Sequence, residues 1–291
     1  MYKKILITGC NGQLGRDLQA AAARYSALQL LCTDVHNLNL TDNRAVMDYA
    51  TAHHPDFIIN CAAYTAVDKA EDEEEKAFAV NSLAVQNLAC AAEKTNARLI
   101  HISTDYVFDG RHADPYAEDD CTNPQSAYGR SKLAGEKAAL SHLQTMVVRT
   151  AWLYTAEGNN FVNTMLRLGA ERTDVNVVND QYGSPTYAAD LAETLLCIID
   201  KVTHREKLFT PGIYHYTNEG VCSWYDFAQR IMQLGQRRCT VHPITTAEYP
   251  TKAVRPQYSV LSKEKIKTNY GIVVPTWDEA LQRCMRLITD K

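Results

Sequence analysis

Short apolar runs alternate with longer segments of mixed polarity through the first half of the chain. The runs fall at 5–8, 28–33, 57–61, 98–103 and 146–150, and the segments that read as helices at 13–24, 44–53, 74–94 and 126–143. Strands separated by helices pair in parallel, with helices on both faces of the sheet. The pattern predicts an α/β fold, a Rossmann-like doubly wound parallel sheet, with a sixth strand at 175–178 after an interruption. Beyond residue 150 the regularity is lost, and turn signals stand at 158–160, 183–185, 211–212 and 255–256. That half is expected to form a smaller C-terminal lobe over the carboxyl edge of the sheet, where ligands of such folds bind. The expected division is 1–150 for the sheet domain, with a return of the chain to it around 175–205, and 151–291 mainly for the lobe.

The first run enters Thr8-Gly9-Cys10-Asn11-Gly12-Gln13-Leu14-Gly15, three glycines at three-residue spacing. A strand, a tight turn and a helix opening suit a dinucleotide. Gly9 makes the turn, Gly12 lets the backbone approach a pyrophosphate at the helix N-terminus, and Gly15 packs the helix close to the strand. Asn11, Gln13 and Leu14 fill the spacing and are counted with the same cradle. The second strand ends at Asp34, where such folds place an acid on the adenosine ribose. A dinucleotide is the expected cofactor, and Asp34 favours a free 2′-hydroxyl. A glycine-rich turn in another α/β protein is the rival explanation.

Composition adds exclusions rather than chemistry. A net charge of −4 and a pI near 6.1 argue against a general nucleic-acid or membrane-surface binder. Nine cysteines are scattered singly, without a CxxC or a Cys/His cluster, as in a reduced cytoplasmic protein. No apolar run reaches the roughly 18 residues of a membrane span. The acidic run Glu71-Asp72-Glu73-Glu74-Glu75 suits the positive end of a helix and is given no chemistry.

Candidate chemistry lies at the strand ends. After the strand at 57–61, small residues including Ala62 and Ala63 leave room for a cofactor, with Tyr64 following. The next strand delivers Thr104 and Asp105 to the same edge, where Thr104 is placed to polarise a carbonyl, or else to cap the strand. His101 lies several residues earlier and is expected in the core or on the sheet face. Tyr128 and Lys132 are four apart on an expected helix, hence on one face with Cβ atoms roughly 5–6 Å apart. The ammonium would lower the phenol from its usual value of about 10 and make it a proton donor or acceptor. Among sixteen tyrosines, such a pair also arises by chance.

Longer motifs carry a resemblance. They include the glycine turn, Ala62-Ala63-Tyr64-Thr65-Ala66-Val67-Asp68, Ser103-Thr104-Asp105-Tyr106-Val107-Phe108-Asp109-Gly110 and Tyr128-Gly129-x-x-Lys132-x-x-Gly135-Glu136. In the second half stand Arg149-Thr150-Ala151-Trp152, Asp180-Gln181-x-Gly183-Ser184-Pro185-Thr186 and Arg255-Pro256-x-x-Ser259-x-Leu261. The chain resembles the extended short-chain dehydrogenases and, more narrowly, the dTDP-4-dehydrorhamnose reductase family. The resemblance implies reduction of the C4 ketone of dTDP-4-dehydro-L-rhamnose by NADPH or NADH, giving dTDP-L-rhamnose for surface polysaccharide. It makes Tyr128, Lys132 and Thr104 catalytic, and it adds Asp105, Trp152 and Arg255 as substrate contacts. Asn39 and Leu40 fall on the adenine side, with Asn39 where the family often has an acid. Asn81 matches a helix Asn of the superfamily that supports the lysine, although backbone capping also explains it. Trp152 has burial as a core aromatic for its alternative. A homodimer with magnesium at its interface is attributed to the family, but Asp17 is the one matching carboxylate and no metal is assigned. Two rivals remain: a reductase or epimerase of a related nucleotide 4-keto sugar, and a non-catalytic subunit like the methionine adenosyltransferase beta subunit.

Overall fold

The computed structural model describes residues 2–289. The chain runs β1 (Lys3–Thr8), α1 (Gln13–Ala22), β2 (Leu28–Thr33), α2 (Asn43–His53), β3 (Phe57–Asn60), α3 (Glu74–Phe78), α4 (Ala84–Thr95), β4 (Arg98–Thr104), α5 (Ala127–Leu140) and β5 (Thr145–Thr150). One π-helical turn, Ala79–Leu83, joins α3 to α4. There follow β6 (Leu153–Tyr154), α6 (Phe161–Glu171), β7 (Asp174–Val178), β8 (Tyr182–Gly183), β9 (Thr186–Tyr187), α7 (Ala188–Thr203) and β10 (Gly212–His215). The chain closes with β11 (Cys222–Ser223), α8 (Trp224–Leu234), β12 (Thr240–Ile244), α9 (Glu264–Tyr270) and α10 (Trp277–Thr289).

The main sheet has the order β2-β1-β3-β4-β5-β10, and every neighbouring pair is parallel. The chain leaves β1 to one side for β2 and returns on the other side for β3. This reversal opens a crevice at the carboxyl ends of β1 and β3, the place where doubly wound sheets bind ligands. Side chains alternate across the sheet. Ile5 and Ile7 of β1 join one core with Leu14 and Leu18 of α1 and Leu191 and Leu195 of α7, whereas Leu6 joins a second core with Val46 of α2 and Leu88 of α4. Both faces are covered, which is why these strands read as near-continuous apolar runs.

The sixth strand is not the expected one. Residues 174–178 do form a strand, β7, but it pairs in parallel with β12 in a separate two-stranded sheet. The sixth place beside β5 belongs to β10. The difference has a physical mark: in β7, Asp174 and Asn176 are exposed while Val175 and Val177 are buried, as in a strand with one covered face. The rest of the second half packs α6, α8 and α10 around a core of its own, with Val162, Met165, Phe227, Ile231 and Leu281 at its centre. Among the described residues no helix is long and apolar enough to cross a membrane.

Candidate active site

Two adjoining hollows lie over the carboxyl edge of the sheet, of about 470 Å³ and 580 Å³, and both are lined by Gly12, Cys61 and Ala63. The first is built by the glycine turn. Gly9 has φ +65°, and a Cβ there would stand 2.7 Å from the Ala62 nitrogen. A Cβ on Gly15 would stand 2.5 Å from the Gly9 carbonyl oxygen, so glycine at both positions lets α1 sit against the strand ends. Gly12 is the N-cap of α1 and supplies no side-chain hydrogen bond, nor is there an acidic residue in the first turn. The opening amides of α1 therefore lack a side-chain cap, and the helix end is a site for an anion.

Asp34 lines the same hollow, and its two carboxylate oxygens accept the Asn11 and Val35 amides at 3.0 and 2.8 Å. Its charge is thus held in one place. Asn39 and Leu40 line the far end; the Asn39 side-chain oxygen accepts the Thr41 amide and hydroxyl at 3.1 and 2.8 Å. Ala62 and Ala63 form the wall beside Gly9 and Gly12. A cradle short of side chains, an uncapped helix N-terminus and a fixed acid fit a dinucleotide with its pyrophosphate at α1 and its adenosine ribose at Asp34.

The second hollow gathers Thr104, Asp105, Tyr128, Lys132 and Trp152. Helix α5 begins at Ser126, whose hydroxyl accepts the Gly129 amide, and the Glu71 carboxylate accepts the Ala127 amide at 2.8 Å. Glu71 thereby caps the helix that carries Tyr128 and Lys132, while Glu74 pairs with Arg130 on its next turn. The acidic run does more than face solvent: it anchors α5. The Lys132 ammonium donates to the Ile102 carbonyl at 2.7 Å. Burial pulls its pKa down to about 8, against the pull of Glu136 and Cys61. Burial also pushes the Tyr128 phenol above its ordinary value, opposed by a hydrogen bond with Thr104. The expected lowering of that phenol by Lys132 is not seen: desolvation is the largest influence, Thr104 is what opposes it, and Lys132 is not among the groups that shift it.

Thr104 ends β4 and takes the capping alternative. Its hydroxyl oxygen caps the next turn by accepting the Tyr106 amide at 3.3 Å, and its proton is donated to Asp105 Oδ1 at 2.9 Å. The other oxygen of Asp105 is buried without a partner. Burial pushes the Asp105 carboxyl up to about 6. His101 is fully buried, with Nδ1 against the Asn60 amide at 3.0 Å.

Three expected residues, Arg255, Tyr64 and Asn81, and also Asp17, to which no metal is assigned, stand apart from the residues that wall the hollows. Arg255 pairs with Asp68 and donates to the Tyr106 hydroxyl at 2.9 Å, so it backs Tyr106, which does line the second hollow. Tyr64 gives its hydroxyl to Glu73 at 2.9 Å. Asn81 holds the Tyr64 backbone from both sides, accepting its amide and donating to its carbonyl at 2.8 and 3.1 Å, and donates to Ser131 on α5. Asp17 accepts the Thr155 hydroxyl at 2.9 Å. Sequence reasoning passed over Tyr106, whose ring meets Tyr128 edge-on at 5.5 Å, although its place two residues after Thr104 was a signal. Asn160, read in the sequence as part of a turn signal and given no role, sends its amide to Gln13 on α1 at 3.2 Å and ties the lobe to the cradle.

A family model described as RmlD substrate binding domain matches residues 3–289. A dTDP-4-dehydrorhamnose reductase of Aggregatibacter actinomycetemcomitans is 42% identical over 286 residues, which cover 96% of this chain and 97% of the relative. The chain belongs to the dTDP-4-dehydrorhamnose reductase family. Its fold is similar to a dTDP-4-dehydrorhamnose reductase from Clostridium acetobutylicum at a TM-score of 0.93, with 43% identity over 98% of this chain and 99% of that one. A dTDP-4-dehydrorhamnose reductase from Bacillus anthracis, solved in complex with NADP, gives 0.91 with 40% identity over 98% and 99%. The expected Rossmann-like α/β architecture is thus shared with the dTDP-4-dehydrorhamnose reductase family.

Proposed function

We propose that this protein reduces the C4 ketone of dTDP-4-dehydro-L-rhamnose to dTDP-L-rhamnose with NADPH or NADH. The carrying observation is the meeting of Thr104, Tyr128 and Lys132 in a hollow that shares Gly12 and Ala63 with the glycine cradle. The nicotinamide supplies the hydride when bound. Gly9, Asn11, Gly12 and Gly15 hold its pyrophosphate at α1, and Asp34 holds the adenosine ribose. Asn39 and Leu40 enclose the adenine side, and Ala62 and Ala63 leave room for the cofactor beside Gly9 and Gly12.

Tyr128 gives its phenolic proton to the ketone oxygen. Burial opposes the phenolate this leaves, so a positive charge beside it is needed, and Lys132 provides it one helical turn away. Thr104 orients the ketone once its hydroxyl turns from Asp105. Asp105 and Trp152 contact the sugar, and Arg255 acts through Tyr106. We assign cofactor binding mainly to 1–150 and substrate binding mainly to 151–291, in a cytoplasmic protein for which a homodimer is a candidate assembly.

The test is direct. The purified protein is incubated with dTDP-4-dehydro-L-rhamnose and reduced cofactor, cofactor oxidation is followed by absorbance, and the product is identified by NMR. No oxidation would overturn the proposal. Tyr128→Phe is expected to lower kcat by about 10²–10⁴-fold with cofactor affinity by calorimetry unchanged; near-normal turnover would remove Tyr128 from its role.

A further inference from the structure

Trp152 is one of five described non-glycine residues with positive φ, at +50°. A bulky residue is seldom found in that region, and such backbone persists only where its surroundings over-determine it. The surroundings here are two residues that the cavity does not touch. Trp224, the first residue of α8, stacks on Trp152 with ring centroids 3.5 Å apart and planes 9° apart. It is itself fixed from below: Ser223 and Asp226 form a reciprocal cap at the start of α8, and Phe161 lies 4.6 Å away, centroid to centroid. On the other strand, Gly183 leaves no room to spare. A Cβ there would stand 2.7 Å from Trp152 Cε2 and 2.9 Å from its Nε1. The Gly183 backbone does not have a positive φ, so the indole, not the chain conformation, is what requires glycine. The Trp152 carbonyl is held in turn by the Thr186 amide at 3.2 Å.

We propose that Gly183 and Trp224 are positioning residues that clamp the Trp152 indole in one plane and make it the fixed wall of the sugar half of the site. This rests on the reductase reading, since the wall is assigned to the nucleotide sugar. A clamped indole meets the sugar without losing rotamer freedom on binding, so binding is tighter than with a free one. The clamp does not touch the glycine cradle, and its loss is felt by the sugar rather than by the cofactor.

Trp224→Leu keeps apolar volume but removes the stacking plane, Trp224→Phe keeps a plane, and Gly183→Ala pushes the indole from its seat. For Trp224→Leu and Gly183→Ala the expected result is a KM for the nucleotide sugar raised roughly 10- to 100-fold, with a smaller change in kcat and unchanged cofactor affinity by calorimetry. Trp224→Phe recovers most of the KM. The stacked indoles also give an exciton couplet in circular dichroism, which should vanish in Trp224→Leu and in Trp152→Phe alike. A wild-type KM in Trp224→Leu, a Trp224→Phe variant no better than the leucine, or an equal loss of cofactor affinity would each overturn the clamp. Wild-type turnover is measured first: its absence sinks the reductase reading, whereas normal wild-type turnover with an unaltered KM in Trp224→Leu sinks the clamp alone.

Discussion

Asp105 carries a cost that the fold does not need. One carboxylate oxygen is buried without a partner beside the catalytic pair, and burial pushes the carboxyl from its ordinary 3.8 up to about 6. The folded chain therefore keeps a proton that the unfolded chain releases, so stability falls as pH rises between those two values and the loss is complete above them. At 1.36 kcal/mol per unit the penalty is roughly 3 kcal/mol at neutral pH. Asp105→Asn should raise the melting temperature at pH 8, and the gain should shrink toward zero at about pH 2.5, below both values, where the wild-type carboxyl is protonated in both states. Thermal melts at the two pH values check this; an equal gain at both would remove the buried charge as its cause. The same variant should bind the sugar less well, since a strained or unpaired group at a site is commonly kept for function against stability. The Asp105 position was legible from its place after a β-strand, but its orphaned oxygen was not, because that depends on what packs around it.

At the scale of elements, α5 explains why the Tyr128 and Lys132 spacing works. Two glycines sit inside this helix, Gly129 and Gly135, where each disfavours helix by about 1 kcal/mol relative to alanine. Contact offsets that propensity. A Cβ on Gly129 would lie 2.2 Å from the Tyr106 carbonyl oxygen, and one on Gly135 would lie 1.9 Å from the Asn81 carbonyl oxygen. Gly135→Ala should thus destabilise the protein by about 1–3 kcal/mol although it improves helix propensity, as read from denaturant unfolding; a stabilised variant would show that α5 can retreat without loss. The glycines were visible in the motif, yet their reason was not, because the opposing carbonyl at Asn81 lies in a π-helical turn that hydrophobic spacing does not announce. The half-buried edge strand β2 at Leu28–Thr33 was legible to the residue, and β3, buried throughout at Phe57–Asn60, to within one. Strand β10 was not: it has four residues, one a glycine and one a histidine, and a buried His215 looks polar in a sequence. Long-range pairs were equally hidden, and Arg255 offered a cation for substrate that the fold commits to Asp68.

The two halves of the molecule are joined through α7 rather than by a linker. Leu191, Leu195 and Ile199 of this helix lie in the same core as Leu14, Leu18 and the inner strands, so α7 covers the face of α1 opposite the ligand crevice. Its N-terminal turn belongs to the other half: Asp190 takes both terminal nitrogens of Arg283 on α10 at 2.6 and 2.7 Å, and the Asn218 amide at 2.8 Å. Strand β10 likewise completes the sheet from beyond residue 200, pairing along the edge of β5. A fragment of residues 1–150 would expose the apolar face of α1 and the unpaired edge of β5, a row of free backbone groups open to aggregation. It should give no cooperative thermal transition and no cofactor binding, although it contains the whole glycine cradle, Asp34, Tyr128 and Lys132. A fragment of residues 1–215, which restores α7 and β10, should recover part of the transition. Circular dichroism melts of the two fragments beside the full chain decide the matter: a cooperative melt for 1–150 alone would show that the cofactor half folds without the helix and strand that the second half returns to it.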